Sequence, residues 1–326
     1  MKHWSEGKEI GNNWKIFLSI AVYKIFGRSL MIIYLIFPVS FMYFIYCFIS
    51  GRIKASRDFL KRISKYNKKV KSNIFHSYKH LLSFIISICE KYAAWNGDIP
   101  LKDLILQTKE NYNKVIDLLK SKKGMIILFA HVGNIELLRA LAVISEGNPI
   151  KNCKINIIID FKLNKNINIL MAFAKNNKNN FVNFIDASNI GADTIIAMES
   201  KLNNGEIIAI AGDRTSSKSD KFNIVNFLGE EAYFPYGAFL IPVLLEYPVY
   251  YFFALREKDK IISKRYDFYI YESKIISNIQ NKKLNKNNKS ETVLELTKEF
   301  AEITEKMLLK YPYQWYNMYY FWNKEN

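Results

Sequence analysis

Residues 124–142 read GMIILFAHVGNIELLRALA, and the change of period inside this stretch decides the fold. Met125 to Ala130 form an apolar run short enough and β-branched enough for a buried strand, after which Leu137, Leu138, Leu141 and Ala142 recur at helical spacing. His131 stands at the junction, five residues ahead of Glu136. On one continuous helix, positions i and i+5 diverge by roughly 140°, so these side chains meet only if His131 lies in the turn before the first helical residue. Gly133 gives that turn its backbone freedom. In such an arrangement the carboxylate fixes the imidazole tautomer and stabilises the imidazolium formed when His131 accepts a proton. The residues alone leave a second reading open: a partly buried histidine with some other partner, and Glu136 on a solvated helix face.

Working outward, further strands are expected at Ile155 to Asp160, Phe181 to Ile185, Glu206 to Ala211, Pro248 to Leu255 and, as an edge, Tyr266 to Tyr271. Helices are expected over Val70 to Trp95, Lys102 to Lys120, Asn164 to Phe173, Asp193 to Leu202, Leu240 to Tyr247 and Glu291 to Leu309. The alternation argues for an α/β fold with a mixed, largely parallel sheet flanked by helices. Gly212-Asp213-Arg214 leaves its strand as directly as His131 does, so both strand exits can face one cleft at the carboxyl ends of the strands. Arg214 is one of eight arginines beside 39 lysines. Where composition favours lysine, an arginine suggests a planar fork toward phosphate or carboxylate, although a structural tie to Asp213 or a carbonyl is an equal reading.

The formal net charge is +17 over 326 residues, in a chain also rich in asparagine and isoleucine. That composition reflects an AT-rich genome as much as a basic surface. A cationic face suits an anionic membrane or an acidic carrier protein. The lysines are scattered and no recognisable nucleic-acid module is present, so no nucleic-acid partner is expected. Cys47, Cys89 and Cys153 lack paired or metal-motif spacing and read as buried apolar residues. His76 and His80 lie one helical turn apart, a zinc-compatible spacing without a third ligand, and are assigned to a polar or membrane-facing edge. No metal site is expected.

Leu30 to Ile49 carries no charge and is just long enough to span a bilayer, with Pro38 near its middle. Two shorter helices lying in the interface are the alternative. Arg52, Lys54, Arg57, Lys61 and Arg62 follow at once, and the positive-inside rule puts that flank in the cytoplasm. Asn96, Gly97, Asp98 and Pro100 mark a boundary, giving a membrane-anchoring helical region over 1–97 and a catalytic unit over 98–326.

HVGNIELLRAL resembles the first block of the lysophospholipid acyltransferase superfamily, whose hallmark is H-x4-D/E. Its Gly-Asn-x-Glu filling is most similar to the lipid A acyltransferase branch, the lauroyl and myristoyl transferases. Three further blocks follow in the same order: IAIAGDRTSS resembles the Gly-Asp-Arg block, FLGEEAYFPYG another block of that branch, and YPYQWYNMYYFW its terminal P-x-Q-W motif. The chain departs from relatives after the second strand, where Asp160, Phe161 and Lys162 replace a basic or His-containing motif.

The resemblance implies a glycerolipid acyltransferase-like fold and a bacterial inner-membrane protein facing the cytoplasm. It implies transfer of an acyl chain from acyl carrier protein or coenzyme A to a hydroxyl of a membrane glycolipid or phospholipid, with no cofactor beyond the donor thioester. His131 would be general base and Glu136 its orienting acid, with N–H groups at the following helix start as oxyanion donors. Asp213, Arg214 and Asn134 would contact substrate, and Phe227, Gly229, Tyr233 and Phe234 would shape an acyl groove, unless those aromatics are plain core. A thioester hydrolase using the same pair and a non-catalytic lipid-binding protein remain the alternatives.

Overall fold

The computed structural model describes residues 31–51, 53–96, 98–137, 153–161, 182–214, 221–280 and 289–322, with isolated positions before residue 31. The expected helix over 164–173 and the helical residues beyond 137 lie outside these. Seven strands form the main sheet: β1 (Leu104–Leu106), β2 (Met125–Phe129), β3 (Ile155–Ile159), β4 (Val182–Asp186), β5 (Ile207–Ala211), β8 (Val249–Arg256) and β9 (Tyr266–Glu272). Their order is β1-β9-β8-β2-β5-β3-β4. Neighbours run parallel except β8 and β9. The largely parallel α/β sheet expected from the alternation is therefore present.

Strand β2 is central and buried at every position. Its period-2 alternation divides the core: Ile126 and Leu128 join one apolar cluster, Met125, Ile127 and Phe129 the other. Both faces are covered, which is why the strand reads as an unbroken apolar run. One face packs on α2 (Ile53–Tyr66) through Phe59, Leu60 and Ile63, and on the long helix Lys289–Lys310 through Phe300 and Met307. The other packs on α3 (Ile74–Asn96) through Ile85 and Cys89, and on α4 (Lys109–Lys120) through Val115, Ile116 and Leu119.

Two expectations change. Tyr266–Glu272 is not an edge strand, because β1 pairs with its outer side; three residues inside a stretch expected to be helical are too few to carry a period. The uncharged run breaks at Leu35–Val39, a turn of π-helix containing Pro38, before α1 (Ser40–Ile49). A proline has no N–H to give to the helical ladder, which is the physical reason for a break there. Among the described residues no helix is long and apolar enough to cross a membrane.

After β5 the hairpin β6 (Phe222–Phe227) and β7 (Glu230–Pro235) turns through Leu228 and Gly229, both at positive φ. That pair of left-handed residues gives a two-residue turn the twist a hairpin needs. The hairpin leads into α5 (Tyr236–Leu245) and packs on the long C-terminal helix.

Candidate active site

Strands β2 and β5 are parallel neighbours with Phe129 opposite Ala211. Two residues beyond each partner stand His131 and Asp213, so the register carries both side chains to the same level at the carboxyl end of the sheet. Asp213 Oδ1 lies 2.7 Å from His131 Nδ1, and Asp213 Oδ2 accepts the His131 backbone N–H at 2.8 Å. The Asp213 side chain is 1% exposed and that of His131 22%, so the acid is sealed while the imidazole reaches the surface of the site.

Burial pushes the Asp213 carboxyl up, but His131, Arg214 and the Trp315 N–H outweigh it and hold the group below the ordinary carboxylate range. Burial and the neighbouring Arg214 lower the His131 pKa below 6.5, against the pull of Asp213. A neutral imidazole beside an ionised acid donates from Nδ1 and leaves the Nε2 lone pair as the base.

The carboxylate bonded to His131 is therefore Asp213, in place of the expected Glu136. Glu136 sits in a single turn of 3-10 helix, Ile135–Leu137, and its Oε1 lies 3.1 Å from Lys91 Nζ on α3. The helix start is tighter than an α-helix, and the His131 ring is already claimed across the sheet by the neighbouring strand. Among the described residues, Glu136 Oε2 is buried without a hydrogen-bond partner, as is Asn134 Nδ2.

The expected oxyanion donors are largely spent. Gly133 N–H donates to Gln314 O, Asn134 N–H to Ala254 O, and the N–H groups of Glu136 and Leu137 to Asn134. Gly133 has φ of 75°, and a Cβ there would collide with the Ala254 carbonyl, so the turn depends on glycine as anticipated. Its other flank pairs with the C-terminal segment, where Tyr316 N–H donates to His131 O.

Arg214 also belongs to this centre. Its Nε donates to Asn317 Oδ1 at 3.0 Å and its Nη2 to Tyr316 O at 3.4 Å. The candidate acyl-groove aromatics divide. Phe227 and Phe234 are fully buried and stack among Trp315, Phe321 and Trp322, so they are core rather than groove. Tyr233 is half-buried with its ring edge on Phe222, and Gly229 makes the hairpin turn against Tyr66.

His80 is not on an exposed edge either. It is fully buried, with Nδ1 2.9 Å from Ser56 Oγ and Nε2 2.6 Å from Trp315 O, and burial drops its pKa to about 4. His76 contacts Tyr313. Among the described residues no group of three His, Cys, Asp or Glu side chains could hold a metal ion.

A family model described as bacterial lipid A biosynthesis acyltransferase matches residues 83–324. The chain belongs to that family. It is an enzyme of the acyltransferase type. No curated protein matches the chain. The matched span runs from α3 through His131, Asp213 and Arg214 to the C-terminal aromatic segment, so every residue of the centre falls inside it. Sequence reasoning missed the part played by that segment in the site. Its only signal was the P-x-Q-W motif, which carries no residue of obvious acid or base chemistry.

Proposed function

We propose that the protein moves a fatty acyl chain from an acyl thioester, on acyl carrier protein or coenzyme A, to a hydroxyl of a membrane glycolipid or phospholipid. The observation that carries this reading is the His131–Asp213 pair at the carboxyl ends of adjacent strands. His131 Nε2 takes the proton of the acceptor hydroxyl as its oxygen bonds to the thioester carbonyl carbon. The tetrahedral intermediate then collapses, the C–S bond breaks, and the imidazolium gives its proton to the departing sulfur, which leaves as the thiol while His131 returns to its neutral form. Asp213 keeps the tautomer and offsets the charge on the ring throughout.

Arg214 supplies a guanidinium beside the pair for an anionic headgroup or carrier phosphate. Asn134 Nδ2 and Glu136 Oε2, unpartnered among the described residues, are a buried donor and acceptor three and five positions after His131, chemistry suited to an acceptor hydroxyl or a developing oxyanion. Glu136 thus contributes to substrate binding in this reading, with Lys91 holding one of its oxygens.

Membrane attachment has support from the N-terminal helices. Phe37, Phe41, Met42, Ile45, Phe48 and Ile49 are exposed along one short apolar stretch, and Lys54, Arg57 and Lys61 are exposed on α2 just beyond it. Apolar side chains entering one leaflet with cations at phosphate depth would hold the enzyme on the cytoplasmic face of the inner membrane.

Labelled acyl groups supplied on carrier protein and on coenzyme A, incubated with total membrane lipid, test the proposal. Label should enter the lipid fraction with the native protein and fall by about 10³-fold with His131→Ala. Release of the label as free fatty acid without a lipid product would mark a hydrolase, and undiminished transfer by His131→Ala would remove the base from the mechanism.

A further inference from the structure

Asp213 accepts more hydrogen bonds than holding one imidazole requires. Besides the ring and backbone of His131, its Oδ2 receives the Trp315 indole N–H at 3.0 Å and the Asn317 side-chain amide at 2.8 Å. The donors come from the C-terminal segment, over a hundred residues away in sequence. Asn317 also donates to the Asp213 carbonyl at 3.3 Å, and Tyr319 Oη donates to the same carbonyl at 3.0 Å.

Neither donor is free to drift. The Trp315 ring is wedged edge-on against Phe59, Phe227, Phe321 and Trp322, and its carbonyl is bonded to buried His80. Since His80 stays neutral and faces a carbonyl, its Nε2 carries the proton and donates, leaving Nδ1 to accept from Ser56 Oγ. Asn317 is pinned by using its amide on Asp213 and its carbonyl oxygen on Arg214.

We propose that Trp315 and Asn317 are positioning residues of the catalytic pair, fixing the Asp213 carboxylate in the geometry and the ionised state that His131 needs. The proposal rests on the reading of His131 and Asp213 as the proton-accepting pair. Neither residue touches the reacting atoms. Each acts by donating to an anion sealed from water, where a charge-assisted hydrogen bond is strongest and an absent one is costly. Asn317 has a second consequence: it sets Arg214 in register with the acid, so that the general base and the cation for substrate share one anchor.

Loss of either donor makes the deprotonated pair less stable, so the pair should bind its proton at a higher pH. The other charged groups facing the pair, Arg214 and Lys91 toward His131 and Arg214 toward Asp213, keep their identities in the test variants. Tyr319, whose own phenol is pushed up by burial and by Asp213, also stays in place.

The test uses the full-length protein in detergent micelles with ¹⁵N-labelled histidine. The chain holds four histidines, and His131→Ala assigns the His131 signal. Trp315→Phe keeps an aromatic ring in the packed site but removes the N–H. Asn317→Ala is the independent second variant. The His131 titration midpoint should rise by about 0.5–1 pH unit in each, while that of His76 stays fixed. In acyl transfer, kcat should fall about tenfold in both variants, whereas KM should rise only in Asn317→Ala, which also releases Arg214.

A purely structural role for the segment would lower thermal stability and leave the His131 midpoint within about 0.2 pH unit of the native value, and that result would overturn the proposal. Because the titration is read without substrate, it decides the positioning role even if acyl transfer is not observed. Failure of the transfer assay with a shifted midpoint would count against the proposed reaction alone.

Discussion

Two buried carboxylates in this molecule each meet a basic side chain, and they are built differently. Glu90 on α3 and Arg256 at the end of β8 are 2% and 1% exposed and bonded side-on, Nε and Nη2 each donating to one carboxylate oxygen at 2.8 and 2.7 Å. Ser83 and the Ile261 carbonyl take up further Arg256 donors, and Gln314 bonds its backbone on both sides. Here both partners are sealed, and nothing is left over for a ligand. At the sheet's carboxyl end, Asp213 is equally buried, but its partner His131 keeps one ring nitrogen uncommitted to the acid and remains partly exposed. The difference separates scaffold from chemistry: a pair closed at both ends holds helices to the sheet, whereas a pair closed at one end can move a proton.

Substitutions at the two pairs should have opposite effects on turnover and stability. His131→Ala should lower acyl transfer by about 10³-fold or more with little change in melting temperature, as expected when a working group leaves an open site. Arg256→Met should do the reverse. It strands Glu90 in the core at a cost of about 3–5 kcal/mol and lowers the melting temperature by roughly 10 °C, with kcat per folded molecule retained. A thermal melt and an initial-rate assay on the two variants read both halves of the crossing. Arg214→Lys, which keeps charge but loses the planar fork toward Asn317, should raise KM for an anionic substrate about tenfold and leave kcat nearly intact.

The smallest effect is on the pH profile. In the proposed mechanism the neutral imidazole is the working form, and burial and Arg214 lower its pKa from the ordinary 6.5, so kcat/KM should stay level through pH 7 and fall only as pH drops below about 6.5. An acid limb above pH 7 would mean that His131 is neither desolvated nor beside a cation as described.

Much of the frame was legible in the sequence. The unbroken run Met125 to Phe129 announced a strand covered on both faces, and the alternation of strands and helices announced the parallel sheet. The equal exits of His131 and Asp213 from their strands pointed to one cleft. What stayed hidden was the pairing between neighbours in space. Register between β2 and β5 depends on strand order, which local periodicity does not encode, so Asp213 was read as a substrate contact while the sequence neighbour Glu136 was given the acid's role. Phe227 and Phe234 were ambiguous for a related reason: an aromatic on a hairpin shows its period but not what later folds over it, and here Trp315 and Trp322 from the far end of the chain do so. His80 was lost in the same way, since its acceptor is a backbone carbonyl with no sequence signature.

The acid bonded to His131 comes from the adjacent strand, and Asp213→Asn set beside Glu136→Gln in one acyl-transfer assay shows which carboxylate serves turnover. Asp213→Asn should cut kcat by about 10³-fold or more, because an amide in that place favours the wrong imidazole tautomer and offers no charge to the imidazolium. Glu136→Gln should act mainly on acceptor KM, with kcat within about tenfold of native. A collapse of kcat in Glu136→Gln with near-native turnover in Asp213→Asn would contradict the account.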